Sequence, residues 1–209
     1  FPYLYIPTWE EDRLLSVIRG ISKDKSLIKT TRKVFVWSLT TGLIPDDLTE
    51  NDETKSPQKA LDFIGKFNDP AIFILKDFHI YFGGKGQLPD FQVIRYSRDM
   101  LQILKQSENP TNVIFLSSSL VIPDDLQKDV TIVDFDLPSF LEIKGLLQEM
   151  ITVNHQSGRI IIDLKQEDEE KLAKAALGLT LQEAENAFAR SMVQDGRLDI
   201  NDVDIILEE

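Results

Sequence analysis

Short apolar runs alternate with amphipathic stretches along the first three-quarters of the chain. The runs are rich in β-branched and aromatic residues and are apolar at consecutive positions, which is typical of strands buried on both faces of a sheet. They predict five strands, at residues 3–6, 34–37, 71–75, 113–116 and 131–133. Because helical stretches separate these runs, the pattern predicts a parallel sheet with helices on both faces, an α/β body in three layers.

The helical stretches carry start and stop signals. Thr8-x-x-Glu11 and Ser139-x-x-Glu142 have the spacing of capping boxes, and Ser56-Pro57 offers an N-cap followed by a first-turn proline. A further amphipathic stretch runs from Val93 to Leu104 and ends before Asn109-Pro110. These signals predict four helices within or directly after the sheet region.

The pattern changes after about residue 152. Beyond the apolar residues 160–162 only helical periodicity remains, with Gly178 and Gly196 at positions that suit left-handed helix ends. Thr180-x-x-Glu183 predicts another capping box there. We therefore expect two domains, an α/β body at 1–152 and a small helical lid subdomain at 153–209.

Composition and charge narrow the classes of partner. The chain has 209 residues, 23 of them basic and 35 acidic, so its formal net charge is −12. A surface this acidic repels phosphate backbones and anionic lipid, and no apolar run approaches the about 18 residues of a membrane span. Cysteine is absent, which excludes disulfides, thiolate zinc sites and cysteine nucleophiles. We expect no nucleic-acid or membrane partner, and a location in a reducing cytoplasm or an equivalent compartment.

The turn after the first strand decides whether a nucleotide could bind, because ligands of such sheets lie beyond the carboxyl ends of the strands. A phosphate loop needs glycines and a lysine at that turn. Residues 7–12 read Pro-Thr-Trp-Glu-Glu-Asp instead. Three carboxylates at a helix start interact with the positive end of the helix dipole and repel an incoming anion. The sequence therefore predicts that the phosphate loop is missing.

Lys76 and Asp77 follow the third strand, where an acidic pair would hold magnesium or activate water. The ammonium group of Lys76 could take the place of a metal and pair with a carboxylate. Ser117 and Ser118 end the fourth strand, where a polar side chain can contact a γ-phosphate, although serines at such a junction also make local turns.

Carboxylates also follow the fifth strand. Asp134 and Asp136 flank Phe135, and together with Asp77 they could form a cluster that binds a divalent cation. This cluster is the best indication of a metal-dependent enzyme in the chain.

The order of these features resembles the core of an AAA ATPase. Residues 72–77 lie where a Walker B motif would be, and residues 113–118 lie where sensor 1 would be. Residues 178–186 are similar to the glycine-led helix of the lid. More narrowly, residues 3–11 and 75–79 resemble the amino-terminal half of the uncharacterised chloroplast-reading-frame (Ycf-type) AAA ATPases of plastids and cyanobacteria.

This resemblance implies a five-stranded sheet in the order 5-1-4-3-2 and a longer protein, in which a second, carboxyl-terminal AAA module binds ATP and magnesium. It also implies a regulatory role and a location in the plastid stroma or the cyanobacterial cytoplasm. The chain departs from the family pattern, since it has no Walker A sequence and has Lys76 in place of the first Walker B acid. Lys76 and Asp77 are then a vestigial Walker B motif, and Ser117 and Ser118 a vestigial sensor 1.

Three hypotheses follow. In the first, the chain is a catalytically degenerate AAA module without a cofactor of its own, acting as a structural, regulatory or protein-binding half of a larger ATPase. Its partners would be the adjacent carboxyl-terminal module and either further copies of itself or another protein. In the second, the chain is a metal-dependent hydrolase that uses Asp77, Asp134 and Asp136. In the third, it binds a nucleotide between body and lid without hydrolysing it.

Overall fold

The computed structural model describes residues 2–45, 51–84, 86–158 and 160–209. Tertiary contacts divide the chain into two units, which we call the body (Phe1–Phe135) and the helical unit (Asp136–Glu209). The division falls earlier than the boundary at residue 152 that the sequence pattern predicts. The reason is the helix Phe140–Ser157, whose Ile143 and Leu147 are buried in the core of the helical unit.

The body is built on a six-stranded mixed sheet. Its strands are β1 (Tyr3–Pro7), β2 (Lys33–Ser38), β3 (Gly42–Pro45), β4 (Ala71–Lys76), β5 (Thr111–Ser117) and β6 (Val130–Ile132). They lie in the order β3-β2-β4-β5-β1-β6. Five of them run parallel, and β3 pairs antiparallel with β2.

The prediction of a wholly parallel, five-stranded sheet is therefore wrong in its count and in its uniform direction. The five expected strands lie side by side as β2-β4-β5-β1-β6, and β3 is added beyond β2. The sequence pattern missed β3 because it has only four residues, which begin with glycine and end with proline, both poor strand formers. Its direction follows from the short turn after β2, since a parallel pair would need a long crossover.

Helices cover both faces of this sheet. The helices α1 (Glu11–Lys23), α2 (Pro57–Lys66) and α3 (Phe91–Gln106) accompany three short 3-10 helices at Asp52–Thr54, Phe78–Phe82 and Asp124–Leu126. Tyr3 and Tyr5 belong to an aromatic-rich core that includes residues of α2 and α3. Ile6, next along β1, belongs to a separate aliphatic core that includes residues of α1. Successive side chains of β1 thus point to opposite faces of the sheet and enter different cores, which gives the three layers of helix, sheet and helix.

Local capping matches the sequence signals in some places and not in others. Ser139 forms a capping box with Glu142 at the start of α4 (Phe140–Ser157), as predicted. The box predicted at Thr8 does not form: α1 begins after Glu10, whose side chain makes no capping bond. The Thr8 hydroxyl instead accepts a hydrogen bond from the Glu10 amide at 3.1 Å, within the loop before the helix.

The helical unit contains α4, α5 (Gln166–Ala175), α6 (Leu181–Asp195) and α7 (Val203–Leu207), with a 3-10 turn at Ile200–Asp202. Helix α6 has the predicted capping box of Thr180 and Glu183, and it ends at Gly196 with φ +75°. The expectation of helices alone beyond residue 162 is wrong, because β7 (Ile161–Ile162) pairs in parallel with β8 (Arg197–Leu198). None of the helices in the described part of the chain is both long and apolar enough to span a bilayer.

Candidate functional site

The carboxyl ends of β1, β4 and β5 form one edge of the sheet, where the sequence places most of its candidate residues. Pro7 of β1 pairs with Ser117 of β5, and Lys76 of β4 pairs with Leu116 of β5. The loops that follow these three strands therefore leave the sheet next to one another. We call this edge the strand-end site.

The loop from β1 to α1 is closed by bonds within the protein. The Thr8 amide donates to the Ser117 carbonyl at 2.9 Å, and the Glu10 amide donates to the Thr8 hydroxyl. The carboxylate of Glu10 pairs with Arg13 at 2.7 Å, and both side chains are nearly buried. The Arg13 guanidinium lies over the ring of Phe135, with its central carbon 4.4 Å from the ring centroid. The Thr8 and Glu10 amides of this loop are therefore not available to a phosphate.

Lys76 and Glu11 form an ion pair at the centre of the strand-end site. The Lys76 Nζ atom lies 2.6 Å from Glu11 Oε2, and the two side chains are 21% and 37% exposed. The sequence offers pairing with a carboxylate in place of a metal as one role for Lys76, and the structure shows such a pair with Glu11 on α1. An ammonium group thus neutralises an acidic side chain from within the chain itself.

Asp77 has an unusual backbone conformation. Its φ of +52° is the only positive value at a non-glycine residue of the described chain. The conformation is tolerated by aspartate at a modest cost, and it leads the chain into the 3-10 helix that buries Phe78 and Phe82 in the core. The Asp77 carboxylate is 59% exposed and lies 3.8 Å from His79 Nδ1, a buried atom without a hydrogen-bond partner among the described residues. The burial of Phe78 in the core therefore accounts for the left-handed conformation of Asp77.

The serines after β5 are held by a tyrosine that the sequence pattern gives no reason to single out. The buried Tyr5 hydroxyl donates to the Ser119 carbonyl at 2.6 Å and lies 2.7 Å from the Ser117 hydroxyl. It also accepts from the Val121 amide at 3.3 Å, and the Ser117 hydroxyl donates to the Ser119 carbonyl at 2.7 Å. Burial raises the pKa of the Tyr5 phenol, which keeps its proton available for donation. Ser117 thus makes a local turn, and Ser118 beside it is half-buried.

The structure gives no support to the carboxylate cluster of the second hypothesis. No group of three histidine, cysteine, aspartate or glutamate side chains in the described ranges is arranged to hold a metal ion. After β6 the Val133 amide donates to the Tyr5 carbonyl at 2.9 Å, and the chain then leaves the sheet. Asp134 and Asp136 are both exposed.

Two family models match the chain. The model described as "SpoVK-like AAA ATPase, N-terminal domain" matches residues 1–135. The model described as "SpoVK-like AAA ATPase, second domain" matches residues 141–209. The first match ends at the last residue of the body, and the second lies within the helical unit.

Individual proteins extend this similarity. The AAA domain-containing protein ycf46 of Guillardia theta is 29% identical over 211 residues, covering 100% of this chain and 38% of that protein. Its counterpart in Trieres chinensis is 28% identical, covering 100% of this chain and 39% of that protein. The chain thus spans less than half the length of these relatives. Among solved structures, a chain of the E. coli MS115-1 HORMA:CdnC:Trip13 complex aligns with a TM-score of 0.61 at 10% identity, covering 100% of this chain and 74% of that one. At that identity the likeness concerns the fold alone.

Proposed function

Because the chain belongs to the SpoVK-like AAA ATPase family, we propose that it is a catalytically degenerate amino-terminal module of a larger AAA ATPase. It acts as a structural or regulatory half and hydrolyses no ATP itself. The active ATP-binding module, with its ATP and magnesium, follows it in the longer protein. As part of the same proposal, that protein works in the plastid stroma or the cyanobacterial cytoplasm, as a homo-oligomer or with a protein partner.

The ion pair between Lys76 and Glu11 carries this proposal. In an AAA ATPase the corresponding strand end supplies an acid for magnesium, and the loop after the first strand supplies amides and a lysine for phosphate. Here the strand end supplies an ammonium group and the helix start supplies the carboxylate. A nucleotide with magnesium would have to break this pair, and its phosphates would then meet the uncompensated charge of Glu11.

The surrounding bonds support the same conclusion. The Thr8 and Glu10 amides already donate to protein oxygens, and the Ser117 hydroxyl is fixed by the Tyr5 network. Binding a phosphate would cost these hydrogen bonds in addition to the ion pair. The greater length of the relatives supports the presence of a further module in the complete protein.

Calorimetry on this chain tests the proposal. We expect titrations with ATP and with ADP, each in the presence of magnesium, to give no binding at the strand-end site and no phosphate release. The variant Asp77→Asn is the matched control, because asparagine also tolerates the left-handed conformation found there. Magnesium-dependent hydrolysis that Asp77→Asn abolishes would overturn the proposal, as would nucleotide binding that this substitution weakens.

The longer protein provides a second test. If this module has no catalytic role, Asp77→Asn should leave the ATPase rate of the longer protein within about twofold of the original. A loss of several orders of magnitude would place Asp77 among the catalytic residues and contradict the degenerate status of the module.

A further inference from the structure

A polar pocket of about 430 Å³ lies at the amino-terminal edge of the body sheet, away from the strand-end site. Its walls come from chain segments that enter the strands: Pro2 before β1, Arg32 before β2, and residues 107–110 before β5. The end of α3 adds Lys105. All residues that line the pocket therefore belong to the body, and none of them belongs to the strand-end site.

Arg32 is the unusual residue of this pocket. Its backbone is fixed, because the Arg32 amide donates to the Ser22 carbonyl at 3.0 Å. Its Nη1 atom donates to the side-chain oxygen of Asn112. The Nε atom is buried and has no hydrogen-bond partner in the part of the chain that the structure describes. A buried donor without an acceptor is costly, so an acceptor supplied from outside the chain would stabilise this arrangement.

The position of the unpartnered Nε atom on the Arg32 guanidinium indicates which kind of acceptor fits. Nε and Nη2 form one edge of the planar guanidinium, and this edge binds two oxygens of a carboxylate or phosphate side by side. Since Nη1 is already bonded to Asn112, the edge left over is the one suited to a bidentate oxyanion. Thr111, which lines the same pocket, adds a hydroxyl group as a further donor.

The chain segment that leads into β2 is basic although the whole chain is acidic. Between residues 19 and 33 there are six basic residues and a single acidic one, Asp24. At the pocket, Lys105 is neutralised by Asp129 at 2.7 Å, whereas Arg32 has no carboxylate partner among the described side chains. Glu108 also lines the pocket and opposes an anion there. The balance between Arg32 and Glu108 would therefore set the affinity.

We propose that this pocket binds a small oxyanion, with two of its oxygens accepting hydrogen bonds from Nε and Nη2 of Arg32. A phosphate group and a carboxylate group share this chemistry. The pocket shares no residue with the strand-end site. This proposal can therefore be correct or wrong whatever the outcome of the tests of the proposed function.

A nitrogen-15 NMR titration of this chain tests the site through the arginine Nε–H signals. One arm uses inorganic phosphate and the other uses acetate, both at constant ionic strength. We expect a saturable shift of the Arg32 Nε–H signal in at least one arm, and the tighter arm identifies the preferred group. No saturable shift in either arm at millimolar concentrations would overturn the proposal.

Three variants distinguish specific binding of the oxyanion at Arg32 from its general electrostatic attraction to basic residues. Arg32→Lys keeps the charge but loses the bidentate edge, and we expect affinity to fall by about tenfold or more. Glu108→Gln removes the opposing charge and should tighten binding severalfold, which also tests the site if Arg32→Lys is poorly folded. Lys25→Gln removes an exposed charge of the same basic segment and should change affinity by less than about twofold. Equal effects of Arg32→Lys and Lys25→Gln, or no gain from Glu108→Gln, would contradict the proposal.

Discussion

Replacing Tyr5 with phenylalanine removes the hydroxyl that joins β1 to the loop after β5. The ring remains and keeps its packing against Phe115, whose centroid is 6.1 Å away. The Ser119 carbonyl keeps the hydrogen bond from Ser117 at 2.7 Å, but the Val121 amide loses its acceptor. The change therefore removes one strong buried bond and leaves one amide unsatisfied. We expect the free energy of unfolding of the body to fall by about 1–3 kcal/mol.

Denaturant unfolding followed by tryptophan fluorescence measures this loss. Trp37 is 1% exposed in the core of the body and reports its unfolding, whereas Trp9 is 79% exposed and changes its surroundings little. Tyr3→Phe is a matched control, because the Tyr3 hydroxyl donates to the Ser97 carbonyl of α3 and not to the loop after β5. Amide exchange at Val121 should accelerate in Tyr5→Phe only. An unchanged unfolding free energy with unchanged exchange at Val121 would refute the assignment of this network.

Three further predictions concern other parts of the molecule. A double-mutant cycle with Lys76→Met and Glu11→Gln, measured by denaturant unfolding, should give a coupling of about 0.5–1 kcal/mol that shrinks in high salt; no coupling would contradict the ion pair. Gly42→Ala should destabilise the body by more than about 2 kcal/mol, because φ is +71° and the new Cβ would overlap a backbone carbonyl. Gly20→Ala, near the end of α1 where a new Cβ meets no other atom, should instead stabilise the body by about 0.5–1 kcal/mol. Equal effects of the two substitutions would refute this reasoning. Hydrogen bonds from the backbone and hydroxyl of the N-cap threonine lower the pKa of Glu183 below its ordinary value of 4.5, so its contribution to stability is present above that pH and is lost as the pH falls through the folded-state pKa. Glu183→Gln should therefore flatten the acid limb of unfolding followed by circular dichroism, and an unchanged limb would contradict this.

The elements that the sequence predicted well depend on neighbours along the chain. The buried parallel strands follow from consecutive apolar residues, and the caps at Ser139 and Thr180 follow from side chains that bond three residues ahead. Gly196 ends α6 because only glycine enters the left-handed conformation without cost. Each of these features is decided within one turn of helix or one strand.

The features that the sequence did not reveal depend on distant contacts. The capping box at Thr8 fails because the Thr8 amide is drawn to the Ser117 carbonyl on a neighbouring strand, which moves the start of α1. Tyr5 and Ser117 are 112 positions apart, and nothing local indicates that their hydroxyl groups meet. The partner of Lys76 could be predicted as a carboxylate but not as Glu11, since the choice needs the placement of α1 beside β4. The unit to which α4 belongs is likewise decided by packing.

The two outermost strands of the described body sheet also bear on how the protein avoids strand-to-strand pairing with other molecules. The sheet ends on one side in β3, with four residues and a terminal proline, and on the other in β6, with three residues. Short edges offer few free amides and carbonyls to a strand of another molecule. If β3 detached, the six-residue apolar strand β2 would become the edge and present a long row of unpaired groups. The pairing of β3 with β2 therefore protects the protein against aggregation. Substitutions that detach β3 should lower the solubility of the protein before they lower its helix or sheet content.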